Sequence, residues 1–243
     1  LNILCVIPSR ISSARLSRKP LLAIQGKPMI QWTYENAKRC HVISDVIVAT
    51  DDKEIAQVIQ NVGGKTVMTD PTIQTGTDRV AAVAELYPDA DIVINLQGDE
   101  PFIKPCMLEQ LVSPYLAGEL PEMTTLARPL DMNINYTSPG AVKVIVDAYH
   151  NALYFSRSPI PYFRAHQENV PVYHHMGLYA FTRDFLMTYK TFDQTPLEKI
   201  ESLEQLRVLE NGFKIRVCLT EHASLEINTP EELEQAQQFV YTD

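Results

Sequence analysis

The 243-residue chain holds 21 Lys and Arg against 30 Asp and Glu, a formal net charge of −9, with 45% hydrophobic and 21% charged residues. That balance supplies the core of an ordinary globular domain and argues against a broad basic face for nucleic acid. No apolar run reaches the roughly 18 residues of a membrane-spanning helix, so no membrane association is expected.

The first apolar stretch leads directly into Pro8-Ser9-Arg10, with no basic leader and no small-residue cleavage site, and reads as a strand over 2–7 rather than a signal peptide. A helix over 28–40 follows, then a strand over 45–49. A helix opens at Asp51-Asp52 and stops at Gly63-Gly64, with Ile55, Val58, Ile59 and Val62 at helical spacing. A short strand at 66–68 precedes a helix over 78–87, which Thr77 or Asp78 would cap. The run 91–97 is nearly all apolar, as in a buried parallel strand. Strands are expected at 123–128, 141–147, 152–155, 173–181 and 213–219, the second and third forming a hairpin around 148–151. Residues 197–209 read as one helix, with Leu197, Ile200, Leu203, Leu206 and Leu209 near one face and Gly212 as the stop. The last helix opens at Thr229-Pro230-Glu231-Glu232, where Thr229 and Glu232 form a capping box. Alternating strands and helices predict an α/β fold with a mostly parallel central sheet. The less regular second half predicts an inserted smaller β region within a single domain over 1–243.

Cys5, Cys40, Cys106 and Cys218 show no paired spacing, which fits a reducing cytoplasm. The six histidines make no zinc pattern with them. Arg10, Arg15, Arg18 and Lys19 are bunched after the first strand, where α/β sheets bind ligands, and suit a polyphosphate. A solvated basic loop is the plainer alternative. At the end of the most buried strand, Gly98 in Gln97-Gly98-Asp99 permits close backbone approach and Asp99 offers a hard oxygen for Mg²⁺. Thr75-Gly76-Thr77-Asp78-Arg79 opens a helix as either an anion site or a simple cap. Neither a GxGxxG nor a Walker pattern is present, which removes support for an NAD-linked oxidoreductase.

Together these stretches resemble the 3-deoxy-manno-octulosonate (Kdo) cytidylyltransferases. The resemblance runs in order through IPSRISSARLSRKPL at 7–21, GKPMIQ at 26–31, VATDD at 48–52, TGTDR at 75–79, NLQGDEP at 95–101, AVKVIVD at 141–147, ALYFSRSPIP at 152–161, HMGLYAF at 175–181 and LEKIESLEQLRVLENGFKI at 197–215. It implies a nucleotide-diphospho-sugar transferase (Rossmann-like) fold, a cytoplasmic homodimer, Mg²⁺, and transfer of CMP from CTP to Kdo with release of pyrophosphate, for lipopolysaccharide biosynthesis. It also implies roles: Pro8, Ser9, Arg10, Arg15, Lys19, Thr75, Gly76 and Arg79 for the nucleotide; Lys19, Arg15 and Asp99 for catalysis; Gln97, Arg157, His175, Tyr179, Glu204 and Gln205 for the sugar acid; Asp99 and Asn228 for metal.

Two departures stand out. The family's R-L-P-G-K-P-L is here Arg15-Leu16-Ser17-Arg18-Lys19-Pro20-Leu21, which keeps the lysine. The family's V-D-T-P-E-D, whose Asp binds metal, is here Ile227-Asn228-Thr229-Pro230-Glu231-Glu232. An amide oxygen ligates Mg²⁺ without bringing charge, and Asn228 can also be read as part of the helix cap alone. Another acid, 8-amino-Kdo or a small phosphonate, and a nucleotide-binding protein with impaired catalysis are the alternatives.

Overall fold

The computed structural model describes residues 1–12, 16–73, 75–133, 135–164 and 171–239. Contacts divide the chain into two compact units, residues 1–109 with 223–243, and residues 110–222. The second is thus inserted in sequence between the two segments of the first.

Unit 1 begins with β1 (Ile3–Ser9), the two-residue strands β2 (Ala23–Ile24) and β3 (Lys27–Pro28), α1 (Met29–Lys38), β4 (Asp45–Thr50), α2 (Lys53–Asn61), β5 (Lys65–Met68), α3 (Gly76–Ala84) and β6 (Ile92–Asn95). Helix α4 (Pro105–Leu116) contains the division between the units. The sheet of unit 1 runs β6-β1-β4-β5 and is wholly parallel, so the expected α/β class with a mostly parallel central sheet holds. β1 and β6 are fully buried, which is why they read as continuous apolar runs rather than alternating ones. Because Ser9 pairs with Thr50 and Val6 with Asn95, the carboxyl ends of β1, β4 and β6 open onto one edge. The loops after them carry Arg10, Asp51 and Gln97 to Asp99.

Caps set the helices. Asp52 begins α2 by accepting from the amides of Glu54 (2.8 Å) and Ile55 (3.1 Å). Thr75 caps α3 by accepting from the amide of Asp78 at 3.1 Å. The expected cap at Thr77 or Asp78 is therefore corrected to Thr75. Asp78 at the third helical position returns its carboxylate to the Thr75 hydroxyl, which donates at 2.7 Å.

Unit 2 contains β7 (Met123–Pro129), β8 (Lys143–Val146), β9 (Ala152–Ser156), β10 (Tyr173–Thr182), α5 (Arg183–Tyr189), α6 (Pro196–Glu201), α7 (Leu206–Glu210) and β11 (Ile215–Leu219). β7 pairs antiparallel with β10 and parallel with β11, and β8 with β9 forms the expected antiparallel hairpin. The single helix expected over 197–209 is two helices, because Ser202 adopts a left-handed backbone with φ 53°. Its apolar residues recur every third position, and at about 100° per residue each step of three drifts about 60° around a helix. Five such residues cannot share one face; Leu203 and Leu206 are buried while Ile200 is 79% exposed.

The chain then returns to unit 1 for α8 (Pro230–Gln238), with the expected capping box of Thr229 and Glu232. α8 and the segment leading into it are anchored by a cluster of Leu16, Ile24, Met29, Phe102, Ile227 and Ala236. Phe239 stacks on Phe102 with ring centroids 4.4 Å apart. No helix among the described residues is long and apolar enough to cross a membrane.

One buried ion pair secures the α6–α7 corner. The Arg207 guanidinium donates to both oxygens of Glu198, at 2.8 and 2.5 Å, and both residues are under 5% exposed. Removing one partner strands a charge in the interior, so Glu198→Ala should lower unfolding free energy by about 3–5 kcal/mol in urea titrations, and replacing both residues by Leu should cost less.

Candidate active site

At the carboxyl edge of the unit 1 sheet lies a cleft of about 340 Å³, lined among others by Pro8, Ser9, Arg10, Lys19, Thr75, Gly76, Arg79, Gln97, Gly98, Asp99 and Asn228. All eleven were singled out from sequence, and they meet in one place. Arg15 lies outside the described residues. Two glycines let the walls close up: a Cβ on Gly98 would stand 3.2 Å from the carbonyl oxygen of Pro8, and one on Gly76 would stand 3.3 Å from the end of Gln97.

An ammonium lines the cleft. Lys19 Nζ donates to Asp99 Oδ2 at 2.6 Å and to Asn228 Oδ1 at 2.8 Å. Asp99 comes from the loop after β6 and Asn228 from the residue before the α8 cap. The peptide of Ile227 donates to the carbonyl of Asp99 at 3.1 Å, tying the two segments together. Around this point polar groups hold one another. Arg79, 2% exposed, hydrogen-bonds Thr69 and lies 3.4 Å from Asp51 Oδ2. Gln97 donates to Asn95 Oδ1 at 2.9 Å, and Asn95 donates to Thr77 at 2.9 Å. Ser9 is 5% exposed, and among the described residues its hydroxyl has no protein partner.

Sequence reasoning missed Asn95, Glu100, Ser224 and Glu226. Asn95 was visible as the polar residue inside an apolar strand. Glu100 is 5% exposed and accepts from the Ser224 hydroxyl. Burial pushes its carboxyl up to about 8; the Ser224 hydrogen bond opposes this, and the charges of Glu226 and Asp99 add to it. Glu226 accepts from Asn228 Nδ2 at 2.5 Å.

The remaining singled-out residues belong to unit 2. His175 and Gln205 are buried, and Tyr179 is 4% exposed. The Tyr179 hydroxyl donates to Gln205 Oε1 at 3.0 Å, Gln205 Nε2 faces His175 Nδ1 at 3.5 Å, and His175 Nε2 lies 3.0 Å from Thr125 Oγ1. Thr125 donates onward to the carbonyl of Leu178 at 2.8 Å. That direction assigns the proton to Nε2 and leaves Nδ1 to accept. Arg157 donates to the carbonyls of Glu201 (2.9 Å), Pro139 (3.0 Å) and Ser202 (3.4 Å). Glu204 is half-buried beside Gln205.

Burial, reinforced by charge on His174, lowers His175 to about 3. Between about 3 and the ordinary 6.5, the unfolded chain binds a proton at this residue that the folded chain does not. Stability therefore rises with pH across that window and gains nothing further from this group above it. His175→Gln should flatten the slope of unfolding free energy near pH 5 by up to about 1.4 kcal/mol per pH unit, measured by urea titration at a series of pH values.

A family model described as cytidylyltransferase matches residues 4–215. A 3-deoxy-manno-octulosonate cytidylyltransferase of Acaryochloris marina is 58% identical over 240 residues, covering 99% of this chain and 98% of that protein. One of Synechococcus elongatus is 49% identical over 235 residues, covering 97% and 96%. The solved structure of a CMP:2-keto-3-deoxy-manno-octonic acid synthetase complexed with CTP matches with a TM-score of 0.92 at 42% identity, covering 98% of each chain. A cytidylyltransferase of Leptospira borgpetersenii shares the fold, with a TM-score of 0.65 at 17% identity, covering 98% of this chain and 85% of that one. The chain belongs to the 3-deoxy-manno-octulosonate cytidylyltransferase family.

Proposed function

We propose that this chain transfers CMP from CTP to Kdo, releasing pyrophosphate and forming CMP-Kdo for lipopolysaccharide assembly, as a Mg²⁺-dependent cytoplasmic homodimer. The relatives' shared name supports the substrate pair. The observation that carries the chemistry is the meeting of Lys19, Asp99 and Asn228 in the cleft. Four free cysteines, three of them buried, fit the reducing compartment.

The donor set suits Mg²⁺. Two hard oxygens, one charged and one neutral, converge on a point that already holds a cation, and so few protein ligands leave positions for water and phosphate oxygens. Asp99 and Asn228 would hold the ion, which when bound would draw charge from the α-phosphate and acidify the attacking hydroxyl. The rest is the work of the chain. Lys19 and Arg10 bring positive charge to the triphosphate and to the leaving pyrophosphate. Arg15 joins them by resemblance. Gly98 and Gly76 let backbone approach the nucleotide, and Arg79, locked by Thr69 and Asp51, keeps the start of α3 in place beside it. For the acid, three of the five N–H donors of Arg157 go to backbone carbonyls among the described residues, and the other two would serve a carboxylate. Gln97, His175, Tyr179, Glu204 and Gln205 supply uncharged donors and acceptors and one carboxylate for the sugar hydroxyls. Nucleotidyl transfer asks for alignment and charge neutralisation more than covalent help, and holding two reactants in register can lower a barrier by roughly 7–11 kcal/mol.

The deciding assay follows pyrophosphate from CTP and Mg²⁺ with Kdo, 8-amino-Kdo or a small phosphonate. Turnover of Kdo is expected. Silence with Kdo and turnover of another acid would transfer the reading to that acid, and tight CTP binding without any turnover would leave a binding protein. Chelation of divalent ions should abolish product. Lys19→Ala should lower kcat by about 10²–10³, the usual cost of removing one preorganised electrostatic donor.

A further inference from the structure

An amide has two unlike ends: its oxygen accepts and its nitrogen donates. Asn228 serves the cation point only with Oδ1 turned towards it. Reversed, it would set Nδ2 against the Lys19 ammonium, donor against donor. An aspartate at this position carries no such ambiguity, since both ends are oxygen.

Glu226 removes the ambiguity. Its Oε1 accepts from Asn228 Nδ2 at 2.5 Å while Asn228 Oδ1 accepts from Lys19 at 2.8 Å. A reversed amide would forfeit both bonds and oppose a carbonyl oxygen to a carboxylate. Other groups hold the backbone here: the amides of Asn228 and Thr229 donate to Glu232 at 2.6 and 2.9 Å, and the Ile227 side chain is fully buried. Glu226 itself is exposed. It therefore acts on the amide end of Asn228 and not on the course of the chain.

We propose that Glu226 is a positioning residue for the cation site, fixing the carbonyl face of Asn228 towards Asp99 and Lys19. The inference rests on the reading of Asp99 and Asn228 as metal ligands. Its test is Mn²⁺ binding to the full chain with α,β-methylene-CTP, followed by electron paramagnetic resonance. Glu226→Ala should weaken Mn²⁺ binding by roughly 10–100-fold, as loss of an outer-shell partner does. Glu226→Gln, which keeps an accepting oxygen, should retain most of the affinity. In an Asn228→Asp background, Glu226→Ala should cost nothing, because a carboxylate needs no orienting partner. Wild-type affinity in Glu226→Ala, or an equal loss in both backgrounds, overturns the inference. If wild type binds Mn²⁺ no better than Asp99→Ala, the metal reading itself fails, and that result is distinct from either of the others.

Discussion

The ammonium of Lys19 joins three segments that are far apart in sequence. It sits in the loop after β1 and hydrogen-bonds Asp99, 80 residues on, and Asn228, 209 residues on. Without it, the half-buried carboxylate of Asp99 and the amide oxygen of Asn228 would lose the ammonium they share. A surface ion pair contributes little, but this one is only 14–20% exposed and is shared with a third group. Its geometry depends on the parallel register that aligns the ends of β1 and β6, and on the packing of Ile227 next to Met29 and Phe102 that delivers the start of α8. The cleft is thus a consequence of sheet register and of one apolar anchor.

Unit 1 was legible because its elements carry redundant signals. β1, β4 and β6 are apolar runs of strand length ending in polar loops, and α2 and α8 announce themselves with Asp52 and with the Thr229–Glu232 box. The failures have separate causes. In 197–209 a three-residue apolar spacing imitates the helical period over one turn and departs from it over three, and the chain resolves the mismatch with a left-handed Ser202. Helix α4 was not foreseen at all. It contains Pro114, a residue that normally argues against a helix interior, yet the helix continues to Leu116.

The site was legible where residue type alone implies chemistry. Arginine, lysine and aspartate after buried strands suggest phosphate and metal, and the fold brings Arg10, Lys19, Arg79, Gln97, Asp99 and Asn228 to one cleft. Residues whose part is to orient others were not legible. Nothing in the local pattern of Glu226 distinguishes it from an ordinary polar residue, and Asn95, though it stands out as polar in an apolar strand, shows its part only in the glutamine it holds; their meaning lies in the partner's need. Asn228 did carry a clue. An amide in a carboxylate's position raises the question of what accepts from its nitrogen, and the answer stands two residues earlier.

The polar groups around Lys19 and those around His175 are satisfied differently. Unit 1 compensates charge with charge around Lys19. In unit 2 the chain of Tyr179, Gln205, His175 and Thr125 is neutral throughout, because burial holds His175 near 3 and so uncharged at physiological pH. Each member of such a chain has its donor and acceptor directions fixed by the next, so changing one reorients the rest. A neutral, directional network discriminates by which hydrogen bonds a ligand leaves unmade, since an unpaired buried group is costly. Charge compensation is indifferent to the detailed shape of what it neutralises. On the proposed reading, the triphosphate, which every substrate pair shares, meets the tolerant chemistry, and the sugar acid, which must be chosen, meets the exacting one.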